Sequence, residues 1–442
     1  MTAAGTSSAP SPEKAGNKPD YEFGRRETEL IARFRSGKRV AVLRGRERTY
    51  PGLRSVAPST LPFYQLFAPL IAGRHVVDAG SGSGVGTQLL CDHVPHVTAL
   101  DNDARALEFS REYAPNAEYL QADLCHGSAV DLADAAILVD VLGHVASPDA
   151  VLHGLRACMP IGAQLFVAEP KAYGSQRLLA PAGRAFSQRA LQRILLRSGF
   201  ELETTICDAA NFVALVGRRS DDVELAALVE GFQQARRGQF CAARTEFTRA
   251  SHSSRHEIKL EALLGAAEAA FDSNDGDGAV RCYFEANTLD PSDGRALAGL
   301  ARVALATGEL EDAVGLSIDA IKREPTESAA HASMAIAAEQ LGRPEAFNSW
   351  LVAVNLAPND LSFATGLART SAARGSYAFA IQVFERLRSY GSVLGPDFHV
   401  TLGWMLLADG RRNDAGVEAR YAAAIAPDEP GVAELVAAVT AH

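Results

Sequence analysis

Residues Val76–Gly86 read VVDAGSGSGVG. A β-branched start, an acid at Asp78 and glycines at 80, 82 and 84 describe a strand that runs into a sharply bent loop. Glycine takes backbone turns closed to other residues, and such loops aim their amide N–H groups at a ligand. The chain from His75 to Arg219 repeats this alternation. Runs at His75–Ala79, Val97–Leu100, Glu118–Leu120, Ala135–Val141 and Gln164–Ala168 predict strands. Stretches at Gly86–His93, Ala104–Tyr113, Pro148–Met159 and Ser187–Ser198 predict the helices between them. Phe200–Cys207 and Phe212–Gly217 predict a closing hairpin. Alternating strands and helices imply a parallel sheet covered on both faces, to which the final pair adds an antiparallel edge.

Beyond Ser220 only short helices are predicted, and they repeat. Gly238, Asn274, Gly308, Gly342, Gly375 and Gly410 mark turns between helices, and about five residues later come Ala243, Ala279, Ala313, Ala346, Ala380 and Ala415. Pro291, Pro325, Pro358 and Pro427 close second helices. A period near 34 with these small residues and a closing proline resembles the tetratricopeptide repeat. Small residues let the two helices of a hairpin approach closely, and each hairpin buries its apolar face only against its neighbours. Six units are expected, the first and fifth lacking the proline, with Gly431–Ala441 as a capping helix.

The 442 residues exceed one ordinary domain, and 47% hydrophobic with 22% charged residues is globular composition. No apolar run approaches the roughly 20 residues of a membrane span. The N-terminal stretch carries no hydrophobic segment of the secretory kind, and the six cysteines lie apart without a CxxC pair. Reduced thiols and a cytoplasmic protein are the expectation, with no metal site. Residues 221–442 hold 19 basic and 31 acidic side chains, which argues against binding a nucleic-acid backbone. Four regions are expected: a disordered tail at 1–20, a basic helical lid at 21–70, a catalytic α/β domain at 71–219 and helical repeats at 221–442. The lid reading rests on ten basic residues between Gly24 and Arg54, against three acidic ones. They form a solvated charged face or a surface for an acidic substrate.

The Gly-rich loop is not the strict dinucleotide fingerprint, because Val85 or Thr87 stands where its third glycine would be. Asp101 ends the second strand, where an acid accepts ribose hydroxyls, and Asp123 follows the third, within reach of an adenine amino group. A nucleoside ligand without a pyrophosphate fits this set. Asp78-x-Gly80-x-Gly82-x-Gly84, Asp101, Asp123, the stretch Asp134–His144 and the turn Met159-Pro160-Ile161-Gly162 together resemble the class I S-adenosylmethionine-dependent methyltransferases. Ile161 departs from the family's usual Pro-Gly-Gly. The resemblance covers residues 70–219 and implies a Rossmann-like α/β sheet, followed here by the all-α helical repeat solenoid.

The resemblance implies S-adenosyl-L-methionine as cofactor. The loop with Asp78, Gly80, Gly82 and Gly84 would hold its methionine portion, Asp101 its ribose, and Asp123 with the Leu124 backbone its adenine. His144 is the candidate base, needed when the acceptor carries a proton, and Asp140 would orient it or contact the cofactor. Glu169, Lys171 and Tyr173 would line the acceptor pocket. Leu138 and Val139 replace the Asn/Asp-Pro-Pro-aromatic motif of methyltransferases acting on nucleic-acid bases. The expected activity is methylation of a protein or peptide docked by the repeats, at concave positions such as Arg295, Arg302, Arg369 and Trp404. The alternative is a small-molecule acceptor, with the repeats serving assembly. A non-catalytic scaffold is a third reading, and the intact Asp78–Gly84, Asp101 and Asp123 set argues against it.

Overall fold

A computed structural model describes residues 60–71, 74–124, 133–145, 147–171, 185–208, 212–388 and 394–441. The expected tail, and the basic lid up to residue 59, lie outside them. The sheet is laid down by β1 (His75–Ala79), β2 (His96–Asp101), β3 (Glu118–Gln121), β4 (Ala135–Val139), β5 (Gln164–Pro170), β6 (Phe200–Asp208) and β7 (Phe212–Arg219). Its order is β3-β2-β1-β4-β5-β7-β6, parallel from β3 to β5 and antiparallel at β7 and β6. The hairpin thus extends the sheet by inserting β7 against β5, which leaves β6 at the edge. The chain leaves β1 in one direction towards β2 and reaches β4 on the other side. That reversal opens a crevice beyond the carboxyl ends of β1, β2 and β4, where ligands bind in such sheets.

Strand residues alternate between two buried layers. Val77, Ala136, Leu138, Leu165, Val167 and Leu215 pack with Val151, Leu155, Leu191 and Leu195 on one face. Val76, Ala135, Ile137, Phe166, Ala168 and Ala214 pack with Phe67 and Leu90 on the other. A period of two with both faces buried is what a helix-covered parallel sheet requires. The covering helices are α1 (Leu61–Phe67), α2 (Val85–Cys91), α3 (Ala104–Tyr113), α4 (Pro148–Cys158) and α5 (Gln188–Arg197). The Ser147 and Ser187 hydroxyls cap α4 and α5 by accepting from Ala150 N and Ala190 N. In α1, the Phe67 ring meets Phe166 at 5.3 Å and the Phe63 ring meets Phe212 at 4.9 Å, which seats this short helix on the sheet. Burying the Phe67 side chain contributes about 2–3 kcal/mol, enough to fix a helix too short to form alone.

The helical part follows as α6 (Val223–Arg236), α7 (Phe240–Ser251), α8 (His256–Asp272), α9 (Gly276–Leu289), α10 (Arg295–Thr307) and α11 (Leu310–Arg323). It continues through α12 (Ser328–Gln340), α13 (Ala346–Leu356), α14 (Leu361–Ala373), α15 (Tyr377–Arg388), α16 (Pro396–Ala408), α17 (Arg412–Ile425) and α18 (Pro430–Thr440). These form six consecutive hairpins and a terminal helix. Every turn position expected from the sequence takes left-handed backbone, with φ between 60° at Asn274 and 81° at Gly308. The six repeat alanines are buried. Close approach between successive hairpins is visible directly: a Cβ on Gly299 of α10 would fall 2.1 Å from the Tyr283 ring of α9, and one on Gly366 of α14 2.4 Å from Trp350 of α13.

The two parts are joined by buried charge. Arg193 on α5 donates to Glu324 at 2.8 Å and to Asp293 at 2.9 Å, and Arg197 Nε donates to Glu261 at 2.7 Å. Arg295 donates to Glu261 and Asp293 from the repeat side. Glu261, Asp293 and Glu324 are all buried.

Candidate active site

The loop after β1 turns on three left-handed glycines, with φ of 79° at Gly80, 55° at Gly82 and 82° at Gly84. Close packing fixes two of them. A Cβ on Gly80 would lie 2.6 Å from Val141 Cγ2, and one on Gly84 2.0 Å from Ser110 Oγ. Around Gly82 nothing among the described residues lies within 4 Å of that position, so the middle of the loop faces open space there. Gly80 N and Ser81 N donate to Leu100 O at 2.8 and 2.9 Å, which ties the loop to the end of β2. Among the described residues the Ser81 hydroxyl is buried without a hydrogen-bond partner. A buried unpaired hydroxyl beside an open glycine suits a cradle for a polar ligand.

Asp78 lies wholly buried beneath this loop. Its carboxylate accepts from Tyr64 Oη at 2.9 Å and from Thr87 Oγ1 at 2.6 Å. Burial raises the Asp78 carboxyl to about 6, against the opposing pull of the Thr87 and Tyr64 hydroxyls. Asp78 therefore acts on the crevice by bracing the loop, α2 and α1 together. Tyr64 and Thr87 escape sequence reading. Thr87 sits one turn into α2, and Tyr64 arrives from a helix that precedes the sheet. The signal for Tyr64 is at Gly86, where a Cβ would meet the Tyr64 ring at 2.1 Å.

Asp101 ends β2 and is buried. It accepts from Gly82 N and from Asp103 N, each at 2.9 Å, which orients both oxygens at the crevice rim. Asp123 is exposed two residues beyond the end of β3, and Leu124 beside it is buried. Because Asp101 pairs in register with Gln121, Asp123 emerges next to the Asp101 strand end. Gly80, Gly82, Gly84, Asp101, Asp123 and Leu124 are thus gathered at the ends of β1, β2 and β3.

Beyond β4 the chain differs from its expected course. The strand stops at Val139, because Asp140 takes left-handed backbone (φ 58°). A 3-10 turn, Leu142–His144, follows. His144 Nε2 lies 3.3 Å from Asp140 Oδ1, and each side chain is about one-third exposed. The expected pair therefore forms. Glu169, expected in the acceptor pocket, is instead fully buried. It accepts from Val141 N at 2.9 Å, Leu142 N at 2.7 Å and Gly143 N at 3.2 Å. Burial, and then the Asp140 charge, raise its carboxyl to about 8 against those three amides. Lys171 is half-buried and bridges to Phe186, whereas Tyr173 lies outside the described residues. Among the described residues no group of three or more His, Cys, Asp or Glu is placed to hold a metal ion.

The expected concave positions on the repeats are largely engaged. Arg295 holds Glu261 and Asp293, Arg302 pairs with Glu268, and Arg369 donates to Glu339 at 2.7 Å. Trp404 is 39% exposed.

Residues 55–205 match a family described as "Methyltransferase domain". The trans-aconitate 2-methyltransferase of Paracidovorax citrulli is 38% identical over 121 residues, which are 25% of this chain and 45% of that protein. A probable S-adenosylmethionine-dependent methyltransferase of Mycolicibacterium smegmatis is 28% identical over 177 residues, 36% of this chain and 66% of that protein. The chain thus spans 45% to 66% of the length of these relatives. Among solved structures, the 1,6-didemethyltoxoflavin-N1-methyltransferase of Burkholderia thailandensis, determined with bound S-adenosylhomocysteine, is 16% identical with a TM-score of 0.34. It covers 48% of this chain and 95% of its own.

Proposed function

We propose that this chain is an S-adenosylmethionine-dependent methyltransferase whose acceptor is a small molecule, with the repeats forming part of the enzyme's body. The observation that carries the reading is the crevice at the ends of β1, β2 and β3. There the open Gly82 cradle, the unpaired Ser81 hydroxyl and the oriented Asp101 carboxylate match the parts of a nucleoside bearing an amino-acid tail. The match of residues 55–205 to a methyltransferase family supports it.

S-adenosylmethionine supplies, when bound, a methyl group on a sulfonium that is already an activated leaving group. The chain's own work is then chiefly alignment. The Gly80–Gly84 loop holds the methionine portion, Asp101 accepts the ribose hydroxyls, and Asp123 with Leu124 meets the adenine. His144, steadied by Asp140, takes a proton where the acceptor carries one.

Two observations favour a small acceptor over a docked protein. Arg295, at the expected peptide-binding face, is spent on an ion network that binds the α/β domain itself. The named relatives include an enzyme whose name gives a small acceptor, trans-aconitate. Two measurements test the proposal. Asp101→Ala should weaken S-adenosylhomocysteine binding, read by calorimetry, by about 1.5–3 kcal/mol, the range for losing a hydrogen bond to a charged group. Parent-like affinity in that variant would place the ribose elsewhere. Purified protein given labelled methyl donor and a fractionated lysate should transfer label to the small-molecule fraction; label entering protein would restore the docking reading.

A further inference from the structure

We infer that Glu169 is a positioning residue of this site: its carboxylate, at the end of β5, sets the turn after β4 so that Val141 braces the Gly-rich loop and His144 stays beside Asp140. The inference rests on the reading that the crevice receives S-adenosylmethionine.

Three successive amides, at Val141, Leu142 and Gly143, converge on the two oxygens of one side chain. Converging backbone N–H groups form an anion-binding nest. Here the acceptor is internal, a fully buried carboxyl group. Burying a carboxylate is costly unless hydrogen bonds satisfy it, and these amides do so. The turn it fixes begins at Asp140, whose left-handed backbone is uncommon for a residue with a Cβ and is held by the surrounding bonds. One of those is Asp140 N to Ala168 O at 2.8 Å, immediately before Glu169 on β5.

The turn reaches the crevice in two places. Val141, just after its start, fills the space that a Cβ on Gly80 would take. Its last residue, His144, is closed by His144 N to Val141 O at 2.9 Å and lies beside Asp140. The Glu169 side chain is fully buried and its hydrogen bonds go to the turn, so its influence passes through Val141 and the turn. A glutamine has the same shape but the wrong chemistry. It keeps one oxygen for Val141 N and Leu142 N, and turns its NH2 onto Gly143 N, donor against donor, whereas a carboxyl oxygen accepts there whether or not it carries a proton.

The full-length parent and Glu169→Gln are compared by calorimetry with two probes, S-adenosylhomocysteine and 5′-methylthioadenosine, the second lacking the amino-acid portion. Folding is checked by circular dichroism. If Glu169 sets the methionine side of the loop, the variant loses at least tenfold in affinity for S-adenosylhomocysteine and stays within about twofold for 5′-methylthioadenosine. Hydrogen exchange at amides 141–143 quickens in parallel. Equal losses for both probes would mean a general loss of structure, and unchanged affinity for both would mean that Glu169 only fills the core; either overturns the role. Should Glu169→Gln fail to fold, Val141→Ala removes the brace and leaves the buried carboxylate alone. The same selective loss is expected there, and parent-like binding of both probes overturns the proposal. A parent that binds neither probe overturns the cofactor reading itself, a failure seen in the parent and not in the variant.

Discussion

Two buried acids at the head of the sheet carry raised carboxyl pKa values, and this has a consequence for stability. Asp78 is raised to about 6 and Glu169 to about 8, each chiefly by burial. Unfolded, both carboxyls ionise near pH 4. Between those values the folded chain holds protons that the unfolded chain has released. Stability from these groups is therefore full below about pH 4. It falls as pH rises, first through about 6 for Asp78 and then through about 8 for Glu169. Measured without ligand, the melting temperature of the parent relative to Asp78→Asn should fall from pH 5 to pH 7, and relative to Glu169→Gln from pH 5 to pH 9. The stability change is on the order of a few kcal/mol. Differences between parent and variant are the quantity to follow, since His153 and His331, lowered by burial, act with the opposite sign below about pH 6.5. A parent–variant difference that is flat with pH would mean that neither acid is held protonated.

At the scale of elements, much of the fold can be read from local chemistry. The strand-to-loop change at Asp78–Gly84 is written in glycines that only a bent loop needs. The repeat turns are written at Gly238, Asn274, Gly308, Gly342, Gly375 and Gly410, all left-handed in the structure. What was not legible depends on contacts distant in sequence. The end of β4 moves to Val139 because Asp140 turns left-handed and Glu169, 26 to 28 residues away, takes the amides of Val141, Leu142 and Gly143. Tyr64 joins the site from a helix 14 residues upstream of Asp78. The insertion of β7 against β5 follows from pairing order, which composition does not encode. The repeat turns yield a direct test. Left-handed backbone costs an L-residue roughly 1–2 kcal/mol, less for asparagine. Asn274→Gly should raise the urea midpoint slightly, Asn274→Ala should lower it, and Gly308→Ala should cost about 1 kcal/mol. Equal stability of Asn274→Gly and Asn274→Ala would show that the turn relaxes out of this geometry.

Across the whole molecule, the ion network decides whether the two parts behave as one. Arg193 is about nine-tenths buried, and its guanidinium serves Glu324 and Asp293 together. Burial alone would raise the Glu261 carboxyl, but Arg197 and Arg295 hold it well below the usual carboxylate range. That contribution is present above about pH 4 and lost in stronger acid, outside the window of Asp78 and Glu169. Beside the charges, Leu196 of α5 packs in one apolar cluster with Leu225 and Leu228 of α6. Removing one partner of a buried ion pair leaves the other uncompensated and costs about 3–5 kcal/mol. The chain carries a reporter for this coupling, because its two tryptophans, Trp350 and Trp404, both lie in the repeats. S-adenosylhomocysteine at a hundred times its Kd stabilises the part that binds it by about 2.7 kcal/mol. In the parent, that ligand should raise the urea midpoint seen by tryptophan fluorescence, although the proposed cofactor site lies in the α/β domain. In Arg193→Ala the fluorescence midpoint should no longer follow the ligand, while calorimetry still finds binding. A parent whose tryptophan signal ignores bound ligand would mean that the repeats unfold independently. They would then be a separate module, free to present their inner face to a partner, and the argument for a small acceptor from an occupied face would fail with it.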